Sequence, residues 1–342
     1  MVEAGTAGGA PAGRTRDRWL SVVAGQRELS LLGIMIVLGT MVSVAAPQFL
    51  TAFNLTNVAV LASITAVAAA GEAMVVLTRN IDLSVEATMG LVAYCVASIL
   101  ERHVLDAPAA IAFGIGLGLL LGMINGIIVT VFRVPAIVAT LGTLSIFRGV
   151  DYLIAGSHQV PLAGLPAGFT DPARDAVLGL PVFVLVAVIV VVLGSVTLRW
   201  TRFGRQVYAV GSNPEAAAIL GIPSRLVVFA AFSVCGLLAG VAGVMWVIEF
   251  GTINGTAATG VVLAVVAAVV VGGVNIFGGS GTLAGAALGA LFLGFIANAL
   301  ILVGLSQFWL QAIYGLVILL AVSADAFIIR RVHRATSGRR VR

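Results

Sequence analysis

Apolar residues fall along the chain in about ten blocks of membrane length, broken by short polar stretches. The blocks run approximately Leu31–Ala46, Leu55–Leu77, Val85–Leu100, Ala109–Phe132 and Ala136–Ala155, then Pro181–Leu198, Leu226–Ile248, Gly260–Gly273, Thr282–Val303 and Phe308–Ile329. A helix needs about 20 apolar residues to cross a hydrocarbon core of roughly 30 Å, so the blocks predict transmembrane helices. Two are short: Val85–Leu100, with Glu86 near its start, and Gly260–Gly273. Either is expected as a span or as a broken, re-entrant helix buried against protein. The pattern predicts an all-α polytopic membrane domain over residues 29–329, with basic tails at 1–28 and 330–342.

Composition agrees, with 60% hydrophobic and 10% charged residues and a mean hydropathy of +1.14. Soluble domains carry about 25% charged residues, too many to match this chain. All 19 basic residues are arginine. A phosphate-binding P-loop requires lysine, so the glycine-rich stretch Gly278–Thr282 cannot be one. Any ATP that drives this protein is hydrolysed on another chain. With the N-terminus inside, the inside segments hold sixteen arginines, while Arg102 and Arg174 lie outside and Arg148 falls within a span. That bias predicts both termini in the cytoplasm, and it accounts for the basicity without nucleic acid. Residues 1–28 read as a retained tail, since no A-x-A-like cleavage site follows a short apolar stretch.

No catalytic constellation is evident. Cys95 and Cys235 lie within apolar runs and read as small buried hydrophobes. His103 and His158 fall in outside loops with no second ligand at metal-binding spacing, so neither a metal nor a bound cofactor is expected. Gly114, Gly118, Gly122 and Gly126 recur every four residues, as do Gly281, Gly285 and Gly289, and each set predicts close helix packing. A faint internal echo relates Val75–Ser84 to Val270–Gly279 through a shared Val-Val and Asn-Ile register.

The segment 199–225 is the one sizeable internal stretch suited to meet a soluble partner. Asn213 as N-cap, Pro214 in the first turn and Glu215 beside it start a helix; Gly221 and Pro223 stop it. The resulting two-turn helix, Pro214–Leu220, is too short to stand alone and needs a surface, either its own membrane domain or a partner's groove.

Glu215-Ala216-Ala217, three residues and Gly221 resemble the EAA…G cytoplasmic loop of ABC-importer permeases. The flanking Gly204-Arg205-Gln206, Tyr208–Gly211 and Asn213 resemble the form found in ribose-type sugar permeases. Asn80–Val85 and Val271–Thr282 resemble two further motifs of that family, in the same order, and the likeness runs from about Phe53 to Asp325. The Arg79-Asn80 opening and Asn275–Gly279 are most similar to the branch for rhamnose and autoinducer-2 uptake. The resemblance implies a type II ABC-importer-like permease in the bacterial inner membrane. It implies ATPase partners that carry ATP and Mg, a second permease copy, identical or related, and an extracytoplasmic substrate-binding protein. The solute is then a small sugar; branched-chain amino acids, nucleosides, or a stand-alone secondary carrier are the alternatives. The implied coupling residues are Gly204, Arg205, Asn213, Pro214, Glu215, Ala216, Ala217 and Gly221. Two positions depart from the family pattern. Glu86 stands where a glycine is usual, and Val262 stands where a glutamate is usual. The pair is either compensating or the mark of one member of a heterodimer.

Polar groups at membrane depth are costly and so point to function. Asn80, Asp82, Ser84, Glu86, Asn125 and Asn298 are the candidate pathway residues, with Glu72 also late in its span. Asp82 and Ser84 either line a path or cap a helix; Arg79 lies close enough in sequence to pair with Asp82. Asn298 suits a neighbouring helix better than solute, and Asp171–Asp175 is a candidate contact for the binding protein.

Overall fold

The computed structural model describes residues 27–173, 175–306, 308–320 and 323. Most of both tails, and the end of the last expected span, lie outside the described residues. Helices follow in the order α1 (Arg27–Ala45), α2 (Ala52–Leu77), α3 (Val85–Glu101), α4 (Ala107–Thr130), α5 (Ala136–Ala155) and α6 (Val182–Trp200). Then come α7 (Arg202–Ser212), α8 (Pro214–Ile219), α9 (Ser224–Phe250), α10 (Val261–Val271), α11 (Leu283–Leu302) and α12 (Phe308–Leu320). Six of these, α2, α4, α5, α6, α9 and α11, are long and apolar enough to cross a membrane alone.

Two expectations are corrected at the ends of elements. The tail expected over 1–28 gives way to helix at Arg27, and the Glu28 carboxylate accepts from the Thr282 hydroxyl at 2.9 Å. In the 199–225 segment the sequence reading found one short helix; the structure has two. The missed one, α7, places Phe203, Val207 and Val210 on one face, the i, i+4, i+7 pattern of an amphipathic helix, and buries Val207 and Val210. It was overlooked because its charged face masks that stripe.

The interior is α2, α3 and α9. The second half of α2 is buried on every side, and α3 is buried over nearly all its length. By contrast α6 turns Val188, Ile189, Val192, Leu193 and Val196 outward, the aliphatic surface expected of a lipid-facing helix. Small residues let α4 and α9 approach along their length. A Cβ at Gly118 or Gly122 would collide with the backbone of Gly236, and one at Gly114 with Val96 and Val244. The second glycine face works alike, with Gly289 of α11 against Ala268 of α10 and Gly285 against Gly272, which caps α10.

At one end of the bundle, the near end, the loops 78–84 and 272–282 meet α7. The Gly279 N–H donates to the Leu77 carbonyl at 3.0 Å, and Arg79 Nε donates to Phe277 O at 2.8 Å. A Cβ at Gly211 would strike the Leu77 carbonyl, so glycine is required for this contact. The Tyr208 hydroxyl donates to Gly281 O at 2.8 Å, and burial pushes its phenol up, further from neutral pH. The echoed segments are therefore touching turns: each ends a helix with a left-handed residue, Arg79 and Gly273, one position out of the sequence register. At the far end, Val160 and Ile253 exchange backbone hydrogen bonds, and His158 Nε2 lies 2.8 Å from Glu101 Oε2.

The shortest apolar element is α10. Its 11 residues rise about 16 Å, half a hydrocarbon core. The chain reaches it from the far end through the non-helical segment 251–260.

Candidate functional site

The candidate pathway residues do not form one site. Asn80 donates to the Thr78 carbonyl at 2.9 Å and to its hydroxyl at 3.1 Å, tying down the turn that ends α2. Asn298 exchanges two 2.8 Å hydrogen bonds with Asn54, joining α11 to the start of α2.

Asp82, Ser84 and Asn125 do come together. Asp82 Oδ1 accepts from the Ser84 N–H (2.9 Å) and hydroxyl (2.6 Å), and Asn125 Nδ2 reaches Ser84 Oγ at 2.7 Å and the Asp82 carboxylate at 3.3 Å. The Asp82 N–H donates to Glu72 Oε1 at 3.1 Å. All four residues are buried. The cluster pins the non-helical stretch 80–84 to α2 and α4, which supplies that backbone with partners at membrane depth. The ion pair between Arg79 and Asp82 suggested by their spacing is absent: Arg79, at φ of +67°, donates instead to Phe277 O.

Glu86 belongs to a second buried cluster that sequence reasoning missed. Its Oε2 accepts from the N–H groups of Gly260 (2.8 Å) and Val262 (3.2 Å), at the positive end of α10. Its Oε1 lies 3.8 Å from Arg148 Nη2 on α5. Arg148 Nη1 donates to Ala257 O at 2.8 Å and lies 3.6 Å from Asp151 Oδ2. Asp151 is fully buried, and neither carboxyl oxygen has a hydrogen bond. The available signal was Arg148 and Asp151 at i, i+3 inside an apolar span, a pair too costly in lipid to be idle. The two departures from the family pattern are thus neighbours: the carboxylate at 86 rests on the backbone of residue 262.

The 199–225 residues divide by exposure. Gly204 is buried where a Cβ would strike the carbonyl of Leu198. Thr201 caps α7, accepting from the Gly204 N–H at 3.1 Å. Asn213 caps α8, accepting from the Ala216 N–H at 3.0 Å; Pro214 occupies the first turn, and Gly221 follows with φ of +75°. Only Ala217 of α8 is buried. Arg205, Glu215 and Ala216 face outward, and so do Ile219 and Leu220, 87% and 77% exposed.

Residues 54–322 match the family described as branched-chain amino acid transport system / permease component. The chain belongs to this permease family. It is a multi-pass protein of the bacterial inner membrane and the permease component of a transport system. Among curated relatives, it is 37% identical over 294 residues to the autoinducer 2 import system permease protein LsrC of Enterobacter sp. (strain 638), covering 86% of this chain and 84% of that protein. The protein of the same name from Escherichia coli (strain K12 / DH10B) is 35% identical over 306 residues, covering 90% and 89%. That from Salmonella typhi is 36% identical over 300 residues, covering 88% and 86%. No solved structure matches the chain.

Proposed function

We propose that this permease is the membrane subunit of an ATP-driven importer for a small hydroxyl-rich solute, autoinducer 2 or a monosaccharide. The observation that carries the coupling half is α8. A capped helix of six residues that buries one side chain and exposes Ile219, Leu220 and Glu215 has no stability of its own and no apolar reason to face water. It suits the groove of an ATPase, whose closure on ATP would move α8 and, through α7, the loops 78–84 and 272–282. Gly204 and Gly211 hold that linkage at backbone contact distance.

The solute half rests on the relatives, whose names specify autoinducer 2 import, and on the branch likeness in Arg79-Asn80 and Asn275–Gly279. Two permease copies, an external binding protein and cytoplasmic termini complete the assembly. Catalysis is ATP hydrolysis on the partner, with its Mg, and this chain binds no cofactor.

Deleting the gene for this chain in its native host should stop depletion of autoinducer 2, or of L-rhamnose, from the medium. Re-expression should restore depletion only in energised cells. Depletion that persists after ATP is exhausted, with the proton gradient intact, would establish a secondary carrier instead.

A further inference from the structure

The segment 251–260 alternates strictly as far as Ala257. Gly251, Ile253, Gly255, Ala257 and Ala258 are buried, while Thr252, Asn254, Thr256 and Thr259 are exposed. Its backbone is fixed by the Ile253–Val160 bridge, by Arg148 on the Ala257 carbonyl, and by Glu86 on the Gly260 and Val262 N–H groups. Ala258 is held at φ of +56°, a conformation that non-glycine residues rarely adopt.

Depth follows from length. The C-terminus of α10 lies at the near end, where Gly272 meets Gly285, and its N-terminus is about 16 Å higher, so the segment descends from the far end to the middle of the membrane. Irregular backbone and exposed hydroxyl and amide groups at that depth cannot face lipid tails; they occur where water or protein meets them. A polar-rimmed cavity of about 660 Å³, lined by Thr56, Asn57, Thr170 and Glu249, touches the start of the strip at Gly251.

The strip's chemistry selects a ligand. Asn254 Oδ1 is occupied by the Thr256 N–H and hydroxyl, so its Nδ2 points outward as a donor; the Thr259 hydroxyl donates to Thr256 O, leaving its oxygen to accept. Among the described residues the Thr252 hydroxyl and Asn254 Nδ2 have no protein partner. The strip itself carries no charge, and the ionisable groups behind it, Glu86, Arg148 and Asp151, are buried against one another.

We infer that Thr252, Asn254, Thr256 and Thr259 form the water-lined face of the transport path and bind a neutral polyhydroxylated solute by hydrogen bonds. On the strip itself a zwitterionic amino acid would find no charged partner; the carboxylate of Glu249 lies in the adjoining cavity. Glu86 and Arg148 are positioning residues for this strip. The inference rests on the import reading above and names the contact surface for its solute.

The test is single cysteines at 252, 254, 256 and 259 in a C95A/C235A background that retains uptake, with Val188→Cys on the aliphatic face of α6 as control. Each is treated in membranes with a membrane-impermeant, positively charged methanethiosulfonate reagent. Cysteines at 254 and 256 should label at least ten times faster than that at 188, and labelling should abolish uptake. Labelling no faster than at position 188 would overturn the inference, as a dry protein contact would. Rapid labelling with uptake intact would also overturn it, leaving an aqueous crevice outside the path. Labelling rates do not depend on what drives transport, so failure of the ATP-driven reading is seen separately, in the deletion experiment.

Discussion

Asp82 accepts hydrogen bonds from Ser84 and Asn125 in a pocket closed to solvent, and that burial bears on the two roles open in the sequence. We propose that the carboxylate acts as a pin and not as a solute contact. Asp82→Ala leaves the Ser84 hydroxyl and N–H without their acceptor, while Asn125 keeps Ser84 Oγ, a loss of about 1–3 kcal/mol for buried groups. The variant should melt at lower temperature in detergent, while its folded fraction keeps the wild-type KM for uptake; a changed KM with unaltered melting would restore the pathway role. Glu86 is a different case, because Arg148 and the α10 N-terminus both depend on its charge. Glu86→Leu strands a buried arginine, which costs about 3–5 kcal/mol. Equilibrium unfolding in mixed detergent should show that drop; an unchanged midpoint would mean that Asp151 alone balances Arg148. From the sequence, Glu86, Asp82, Ser84 and Asn125 were visible as isolated polar residues in apolar runs. Their partners were not, since Glu86 meets residues 62 and 174 or more positions away, a relation no local pattern encodes.

Helices were legible wherever apolar length decided the matter. The expected blocks coincide with α2 through α6, α9 and α11 to within a few residues at each end. The Val85–Leu100 and Gly260–Gly273 blocks became a largely buried 17-residue helix and an 11-residue half-helix, and the glycine periodicity marked the contact faces without naming the partner helix. The amphipathic α7 and the strip 251–260 escaped, one because its charges hid its stripe, the other because alternating polar residues between apolar blocks look like an ordinary loop. Packing at the α4–α9 seam gives a paired prediction. Gly236→Val drives a side chain into the backbone of Gly122 and should leave little monodisperse protein by size exclusion. Gly116→Val, where nothing lies within 4 Å, should elute as the wild type does. Equal behaviour of the two would mean that this seam is loose.

Across the whole molecule, the near-end loop 272–282 is held to α7 by the Tyr208 hydroxyl and by close approach at Gly211, loop 78–84 is tied to it through Arg79, and α8 projects from the same end. Movement of α8 therefore has a short mechanical route to the stretch pinned by Asp82 and to the lower end of α10. The family motif pointed to that helix from sequence; its exposed Ile219 and Leu220 became evident only when the fold showed which side faces out. The most direct measurement is affinity purification of the tagged chain from native membranes in mild detergent, wild type beside Glu215→Lys, with co-purifying proteins identified by mass spectrometry. A P-loop ATPase should accompany the wild type in stoichiometric amount and fall at least tenfold with Glu215→Lys, with equal permease in both membranes. Wild-type permease that supports uptake yet elutes without any ATPase would contradict the account.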